Sequence, residues 1–316
     1  MNGSATVICI VGPTACHKTE VAIGLAKRLD GEIVSADSVA VYRRLDIGSA
    51  KPAVAERDGI PHRMIDVADP DDRDFTVARF REMAIHAIDS ILDSGKLPIV
   101  VGGSGLYSDS IFADMSFSVP SDPAVRKRIE SEYTADPLGV YARLRSLDPV
   151  TASRLHVNDA KRVIRALEIY EISGSTFSEK NHDFETVQET PVRYRVLRFG
   201  LNMDRSLLYE RINSRVDAMF QNGLVKEAYE LFGEGYTPEF PAFQSIGYAQ
   251  LYEAYRGNMT LEEAKEAIKL ATRRFAKRQL TWFRRNPETK WFFTDRYPSI
   301  EAVISAIEED ITHRYE

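Results

Sequence analysis

The chain has 316 residues, 44% of them hydrophobic and 28% charged, with a formal net charge of −6. That balance suits a globular protein with a large buried core and excludes disordered, fibrous and overall basic nucleic-acid-binding classes, so a polyanion site must be a local patch. No apolar run approaches about 18 residues, Met1-Asn2-Gly3-Ser4 lacks the pattern of a secretory signal, and Cys9 and Cys16 have no CxxC spacing; a cytoplasmic location without disulfides or structural zinc is expected.

The first element is an apolar run from Thr6 to Val11, a strand by composition, followed by Gly12-Pro13-Thr14-Ala15-Cys16-His17-Lys18-Thr19 and a helix-patterned run to Leu29. The eight residues match the phosphate-loop pattern G-x-x-x-x-G-K-S/T, except that His17 stands at the second glycine. In such a loop backbone N–H groups converge on phosphate oxygens, the lysine reaches a terminal phosphate, and the hydroxyl of Thr19 ligates Mg²⁺. If the position before the lysine requires positive φ, a side chain there costs about 1–2 kcal/mol, which His tolerates better than most residues.

Glu32-Ile33-Val34-Ser35 reads as a second strand with Asp37 just past its end, and Arg63 to Val67 as a third. Asp74 is the expected cap of a helix from Phe75 to Ser94. Leu97 to Val101 is a fourth strand, closed by Gly102-Gly103-Ser104-Gly105 and a helix from Leu106. This βαβα alternation predicts an α/β fold, a P-loop NTPase-like parallel sheet flanked by helices. Its ligands bind beyond the carboxyl ends of the strands, where Gly12 to Thr19, Asp37-Ser38 and Gly103-Ser104 converge.

Pro120 to about Pro191 shows no strand pattern, only helical stretches opening near Asp122, Pro137, Pro149 and Asn158. The expected organisation is a core of residues 1–117 and 191–316 with an inserted all-helical subdomain, 118–190. Tyr194 to Leu201 returns to the sheet, helical runs follow over 204–232, 245–255 and 260–285, and Trp291-Phe292-Phe293 suits a short edge strand.

Between Lys269 and Lys290 eight basic residues face one acid, Glu288. At about 100° per residue, Arg273, Lys277 and Arg284 fall on one line of a helix and Arg274, Arg278 and Arg285 on the next, with Phe275, Gln279, Trp282 and Phe283 opposite. Such a helix packs by one side and shows a cationic ribbon on the other, either a polyanion-binding face or a solvated one.

Asp37 suits the orientation of Mg²⁺ or removal of an acceptor proton, and equally an N-cap for the segment from Ser38 to Arg43. Ser104 is a phosphate ligand or a helix cap. Arg211 and Arg215, four apart on one helix face, are a phosphate clamp or partners of surface acids. His62, His86, His156, His182 and His313 have no ligand spacing.

With these segments in place the chain resembles the bacterial-type tRNA dimethylallyltransferase (tRNA isopentenyltransferase) family, from about Val7 to Trp282. The resemblance is carried by Gly12-Pro13-Thr14-Ala15 with Lys18-Thr19, Ser35-Ala36-Asp37-Ser38 with Val41-Tyr42, Asp46-Ile47-Gly48 with Ala50-Lys51-Pro52, and Ile60-Pro61-His62. It continues through Val101-Gly102-Gly103-Ser104-Gly105-Leu106-Tyr107, Leu147-Asp148-Pro149, Asn158-Asp159 with Arg162-Val163, Arg165-Ala166-Leu167-Glu168, Ile246-Gly247-Tyr248, and Ala276-Lys277-Arg278-Gln279 with Thr281-Trp282-Phe283-Arg284.

The resemblance implies transfer of a dimethylallyl group from dimethylallyl diphosphate to the N6 amine of the adenine 3′ to the anticodon of tRNA, with Mg²⁺ as the metal, in a monomer. It implies Asp37 as general base, the loop from Gly12 to Thr19 around the diphosphate, and Ser104 and Arg215 neutralising it. The anticodon stem-loop would be bound by Asp37, Ser38, Val39, Ala40 and Ser104; by Arg126, Lys161, Arg162, Val163, Ile164 and Arg165; by Gln244, Ser245, Ile246, Gly247, Tyr248 and Ala249; and by Lys277, Arg278, Gln279, Leu280, Thr281, Trp282, Phe283 and Arg284. Departures from the family pattern are Cys16-His17 for a Ser-Gly-like pair, Ala40 for a polar residue and Ser104 for Thr. The competing functions are an adenylate dimethylallyltransferase, a P-loop kinase with Asp37 as base, and a non-catalytic RNA-binding P-loop protein.

Overall fold

The computed structural model describes residues 5–113, 119–180 and 193–315. It divides into two compact units, Met1–Phe112 with Val192–Glu316, and Ala113–Pro191. The expected boundaries at 117/118 and 190/191, and His182, lie outside the described residues.

The larger unit is built on a six-stranded parallel sheet in the order β3-β2-β4-β1-β5-β6, from β1 (Ala5–Val11), β2 (Gly31–Ser35), β3 (His62–Arg63), β4 (Leu97–Gly102), β5 (Tyr194–Asn202) and β6 (Lys290–Phe293). Alternate residues of β1 enter two different cores: Val7, Cys9 and Val11 face one, Ile8 and Ile10 the other. Burial on both faces is why this strand is a continuous apolar run instead of an alternating one.

One core is covered by α2 (Val77–Asp93), through Phe80, Ala84, Ile88 and Ile91. The opposite one is covered by α1 (Lys18–Arg28) and α13 (Ile300–Tyr315), which brings Val303, Ile304, Ile307 and Ile311. The sequence reading has no element at α13, although its apolar spacing is helical. In register Val11 lies beside Gly102 and Ser35 beside Val101, so the loops after β1, β2 and β4 emerge at one edge.

Four expected elements are corrected. The third strand stops at Arg63 because Met64 and Asp66 take φ of 65° and 57°, which leaves extended geometry. The cap of α2 is Thr76, whose side chain accepts from Arg79 N, and not Asp74. The run over 204–232 is two helices, α9 (Arg205–Gln221) and α10 (Leu224–Gly233), broken at Gly223 with φ 100°. Between β4 and the insert runs α3 (Gly105–Phe112), and after α10 come α11 (Tyr248–Tyr255), which starts later than Ser245, and α12 (Leu261–Phe283).

The smaller unit holds α4 (Pro123–Ala135), α5 (Pro137–Leu147), α6 (Pro149–Arg154), α7 (Ala160–Ser173) and α8 (Phe177–Lys180). Its first three helices open on Asp-Pro: Asp122, Asp136 and Asp148 accept backbone N–H bonds at 2.8–2.9 Å while the proline occupies the first turn. Ile129, Val140, Leu144, Val163, Ile164 and Leu167 form its own core.

Candidate active site

The phosphate loop leaves β1 at Gly12, where φ is 145° and a β-carbon would lie 2.3 Å from the carbonyl oxygen of Leu201 on β5. Only glycine fits that turn. The loop then closes on itself. Lys18 Nζ donates to Pro13 O at 2.6 Å, and the buried Cys16 thiol donates to the same oxygen at 2.8 Å. His17, at φ 65° and ψ 17°, directly precedes α1, and its Nδ1 lies 2.8 Å from Glu20 Oε2. Sequence position thus identified the backbone demand correctly: His17 occupies the left-handed region.

Arg211 and Arg215 stand over this loop from α9. Arg211 Nε donates to Ala15 O at 3.0 Å, and Arg215 Nη1 to Thr14 Oγ1 at 3.3 Å. Both side chains reach the loop, and neither pairs with a surface acid among the described residues. Burial pushes the Arg215 guanidinium and the Lys18 ammonium below their ordinary ranges, and the positive charge of Arg215 adds to the effect on Lys18. Two desolvated cations facing each other make a site that favours an anion.

Asp37 follows β2. Its Oδ1 accepts from Val39 N at 2.8 Å and Ala40 N at 3.1 Å, while Oδ2 takes no hydrogen bond from the described residues. The capping is therefore done by one oxygen, and the other is left without a protein donor among the described residues. Ser104 Oγ accepts from Ser38 N and donates to Ser38 Oγ, both at 3.1 Å. It steadies the turn that carries Asp37, and the wall at the end of β4 is supplied by Gly102 and Gly103.

These segments surround one cavity of about 370 Å³ in the larger unit. Thr14, Lys18, Thr19 and Arg215 line one part of it, and Asp37, Ser38, Val39 and Ala40 another, together with residues 244–247, Arg278 and Gln279. Gly12, Pro13, Ala15, Cys16 and His17 shape the loop from outside that cavity.

Gln279 is the residue whose role the sequence hid. It belongs to α12 and is buried; its Oε1 accepts from Thr14 N at 2.9 Å, and its Nε2 donates to Gly103 O at 2.8 Å. One amide thereby joins the phosphate loop, the β4 loop and the basic helix. The signal was a lone polar residue on an apolar helix face, which must find partners when buried. Nearby, Trp282 Nε1 donates to Asp109 Oδ2 at 2.6 Å, and Asp109 Oδ1 accepts from buried Arg198 at 2.8 Å.

Of the residues expected to touch RNA, Ala40, Val163, Ile164, Gly247, Tyr248, Gln279 and Phe283 are buried. Arg126 and Arg165 of the insert are engaged with the buried carboxylate of Glu168, and Arg162 pairs with Asp159. On α12 and just past its end, Arg274, Lys277, Arg278, Arg284 and Arg285 are exposed and form no ion pair among the described residues. Arg273, by contrast, donates to Asn213 Oδ1 at 2.6 Å, and Lys269 pairs with Asp217 and Glu266. The cationic ribbon is thus reduced to those five residues.

A family model described as IPP transferase matches residues 40–286. A tRNA dimethylallyltransferase of Pelotomaculum thermopropionicum is 42% identical over 307 residues, covering 97% of this chain and 96% of that protein. One of Desulforudis audaxviator is 47% identical over 288 residues, covering 90% and 91%. Among solved structures, the full-length tRNA isopentenylpyrophosphate transferase of Bacillus halodurans has a TM-score of 0.70 and 38% identity over 98% of this chain and 99% of its own. A eukaryotic dimethylallyltransferase acting on tRNA has a TM-score of 0.75 and 31% identity over 89% and 70%. With a family model spanning most of the chain and relatives aligned to it nearly end to end, the chain belongs to the IPP transferase family.

Proposed function

We propose that the protein transfers the dimethylallyl group of dimethylallyl diphosphate to the N6 amine of the adenine 3′ to the anticodon in tRNA, releasing diphosphate. The observation that carries this reading is a cavity holding both a cation-lined phosphate loop and a carboxylate with one unengaged oxygen. The allylic C1–O bond breaks, a C1–N6 bond forms, and the amine proton goes to Asp37 Oδ2. Lys18, Arg215 and loop amides stabilise the negative charge that develops on the departing diphosphate. Binding that anionic group also offsets the desolvation of both cations and the repulsion that Lys18 feels from Arg215.

Mg²⁺ fits the residues present. It takes few protein oxygens and several from phosphate and water, and the exposed Thr19 hydroxyl lines the cavity with Asp37, whereas no protein-only metal cage exists among the described residues. When bound it would supply further charge neutralisation to the leaving group. The exposed ribbon on α12 suits the phosphates of an anticodon arm, the adenine being splayed from its loop to reach the cavity. The enzyme acts as a cytoplasmic monomer in this reading; among the described residues no helix is long and apolar enough to cross a membrane.

The test is transfer from labelled dimethylallyl diphosphate to unmodified tRNA or to AMP. Transfer to tRNA alone is expected. Asp37→Asn should retain tRNA affinity and lose about 10²–10⁴ in turnover, the usual worth of a positioned base. Parental turnover in that variant would remove Asp37 from the chemistry, and efficient transfer to AMP would replace the acceptor.

A further inference from the structure

Glu227 lies on α10, outside the phosphate loop and outside the basic ribbon. Both of its carboxylate oxygens are engaged. Oε2 accepts from Asp46 N at 3.0 Å and Ile47 N at 2.8 Å, while Oε1 accepts from Gly48 N at 3.1 Å and from the Tyr248 hydroxyl at 2.5 Å. Three successive backbone amides aimed at one anion form a nest, and charge-assisted bonds of this kind are about twice as strong as neutral ones.

The carboxylate therefore ties together two segments distant in sequence, the 46–48 turn and the start of α11. Their fit is close. Tyr248 is fully buried, and a β-carbon on Gly48 would lie 2.5 Å from its ring, so the glycine permits the approach that Glu227 locks. On the far side of the turn, buried Lys51 donates to Tyr42 O at 2.6 Å, to Asp66 Oδ1 at 2.6 Å and to Asp46 Oδ1 at 2.8 Å.

Both segments run directly into the cavity, which residues 48–50 and 244–247 help to line. Unlike the part formed by Lys18 and Arg215, residues 48–50 and 244–247 carry no ionised side chain, and the ammonium of the adjoining Lys51, which also lines the cavity, is held by Asp46 and Asp66. A neutral wall of backbone and small polar groups suits the edge and face of a nucleobase; the cationic wall suits the diphosphate.

We propose that Glu227 is a positioning residue for the acceptor base, holding the 46–50 turn and the 244–248 turn in the relative placement that seats the adenine. The inference rests on the prenyl transfer proposed above. Glu227→Gln preserves shape but turns one acceptor into an NH₂ group facing donors. In steady-state kinetics with each substrate varied in turn, kcat/KM for tRNA should fall about ten- to a hundredfold, the scale on which ångström misplacements act. The KM for dimethylallyl diphosphate should stay within about twofold, because that interaction is uniform across the change.

Tyr248→Phe keeps the buried ring and removes only the hydroxyl link, so it should show a smaller loss of the same kind. The double variant should be no worse than Glu227→Gln alone, since both break one connection. A folded Glu227→Gln enzyme with parental kcat/KM for tRNA, or with the diphosphate KM rising in parallel, overturns the proposal. If Glu227→Gln does not fold, Tyr248→Phe decides by the same two criteria. A parent protein that transfers nothing to tRNA overturns the reaction itself, whereas an active parent and a variant altered only in thermal midpoint overturn the role of Glu227 alone.

Discussion

At His17 the loop and the helix it starts make opposite demands. The backbone there sits at φ 65°, as does Ala15 two residues earlier, a region that costs a residue with a β-carbon about 1–2 kcal/mol. The Nδ1 pairing with Glu20 at the exposed first turn of α1 is a surface one, and such pairs contribute only about 0–1 kcal/mol. Glycine would remove the strain but add about 0.4–1 kcal/mol of unfolded-state freedom. His17→Gly should therefore unfold at the parent's denaturant midpoint or slightly above it, with an unchanged KM for the diphosphate, because Lys18 and Arg215 carry the charge. A clear drop in the midpoint or a several-fold rise in that KM would mean that the imidazole does more than occupy the turn. The motif alone located this position, since the residue before the lysine must turn left-handed. The partner of its side chain was decided by the helix that follows.

The helix α12 serves two surfaces, and its faces can be tested separately. Its exposed basic residues lie where tRNA phosphates are proposed to bind, and removing one phosphate-binding cation lowers the log–log slope of affinity against salt by about 0.7 for single strands. Charge reversal at Arg274, Lys277 and Arg285 should flatten the salt dependence of tRNA binding and leave the KM for dimethylallyl diphosphate unchanged. Gln279→Leu should do the reverse. It strands Thr14 N and Gly103 O, each buried polar group costing about 1–3 kcal/mol when unpaired, and so loosens the phosphate loop while the ribbon stays intact. Filter binding across a salt series and donor-varied kinetics read the two effects; if both variants act on the same substrate, the two faces are not independent. Periodicity in the sequence separated the cationic face from the packing face. It could not show that Gln279, on the packing face, would bridge two loops more than 170 residues away.

In the helical insert, one buried carboxylate organises the fold. Glu168 is fully buried; it accepts from Asp122 N at 3.1 Å, from Arg165 Nη1 at 2.8 Å and from the Ser121 hydroxyl. Burial opposes its ionisation, but the Ser121 hydroxyl and the Arg165 guanidinium outweigh it and hold the carboxyl below its ordinary value of 4.5. Asp148 is likewise held low, its burial outweighed by Thr151 and Ser178. Both groups bind protons more readily unfolded than folded. Their contribution is complete above the unfolded values and is lost as pH falls below about 4.5 through the lower folded values. Protection factors over 160–173, corrected for the slower intrinsic amide exchange in acid, should therefore fall on acidification toward about pH 3–4. Glu168→Ala should cost about 3–5 kcal/mol at neutral pH, leaving Arg165 without its carboxylate partner, and should weaken that acid response. An acid response unchanged in the variant would place the sensitive group elsewhere. At the scale of the whole chain, local signals determined a great deal. Apolar runs, the phosphate-loop spacing, the Asp-Pro helix starts and the charge asymmetry of α12 each follow from short-range chemistry, and together they indicated a parallel α/β core, an inserted helical unit and a cavity at the ends of β1, β2 and β4. Tertiary structure alone decided that Arg211 and Arg215 turn to the loop, that Ser104 supports Asp37 and that Glu227 joins two distant turns. It also decided which of the expected RNA-binding residues remain at the surface. These are long-range pairings of common polar side chains, whose partners are selected by packing and desolvation after the chain has folded, so no periodicity or spacing records them.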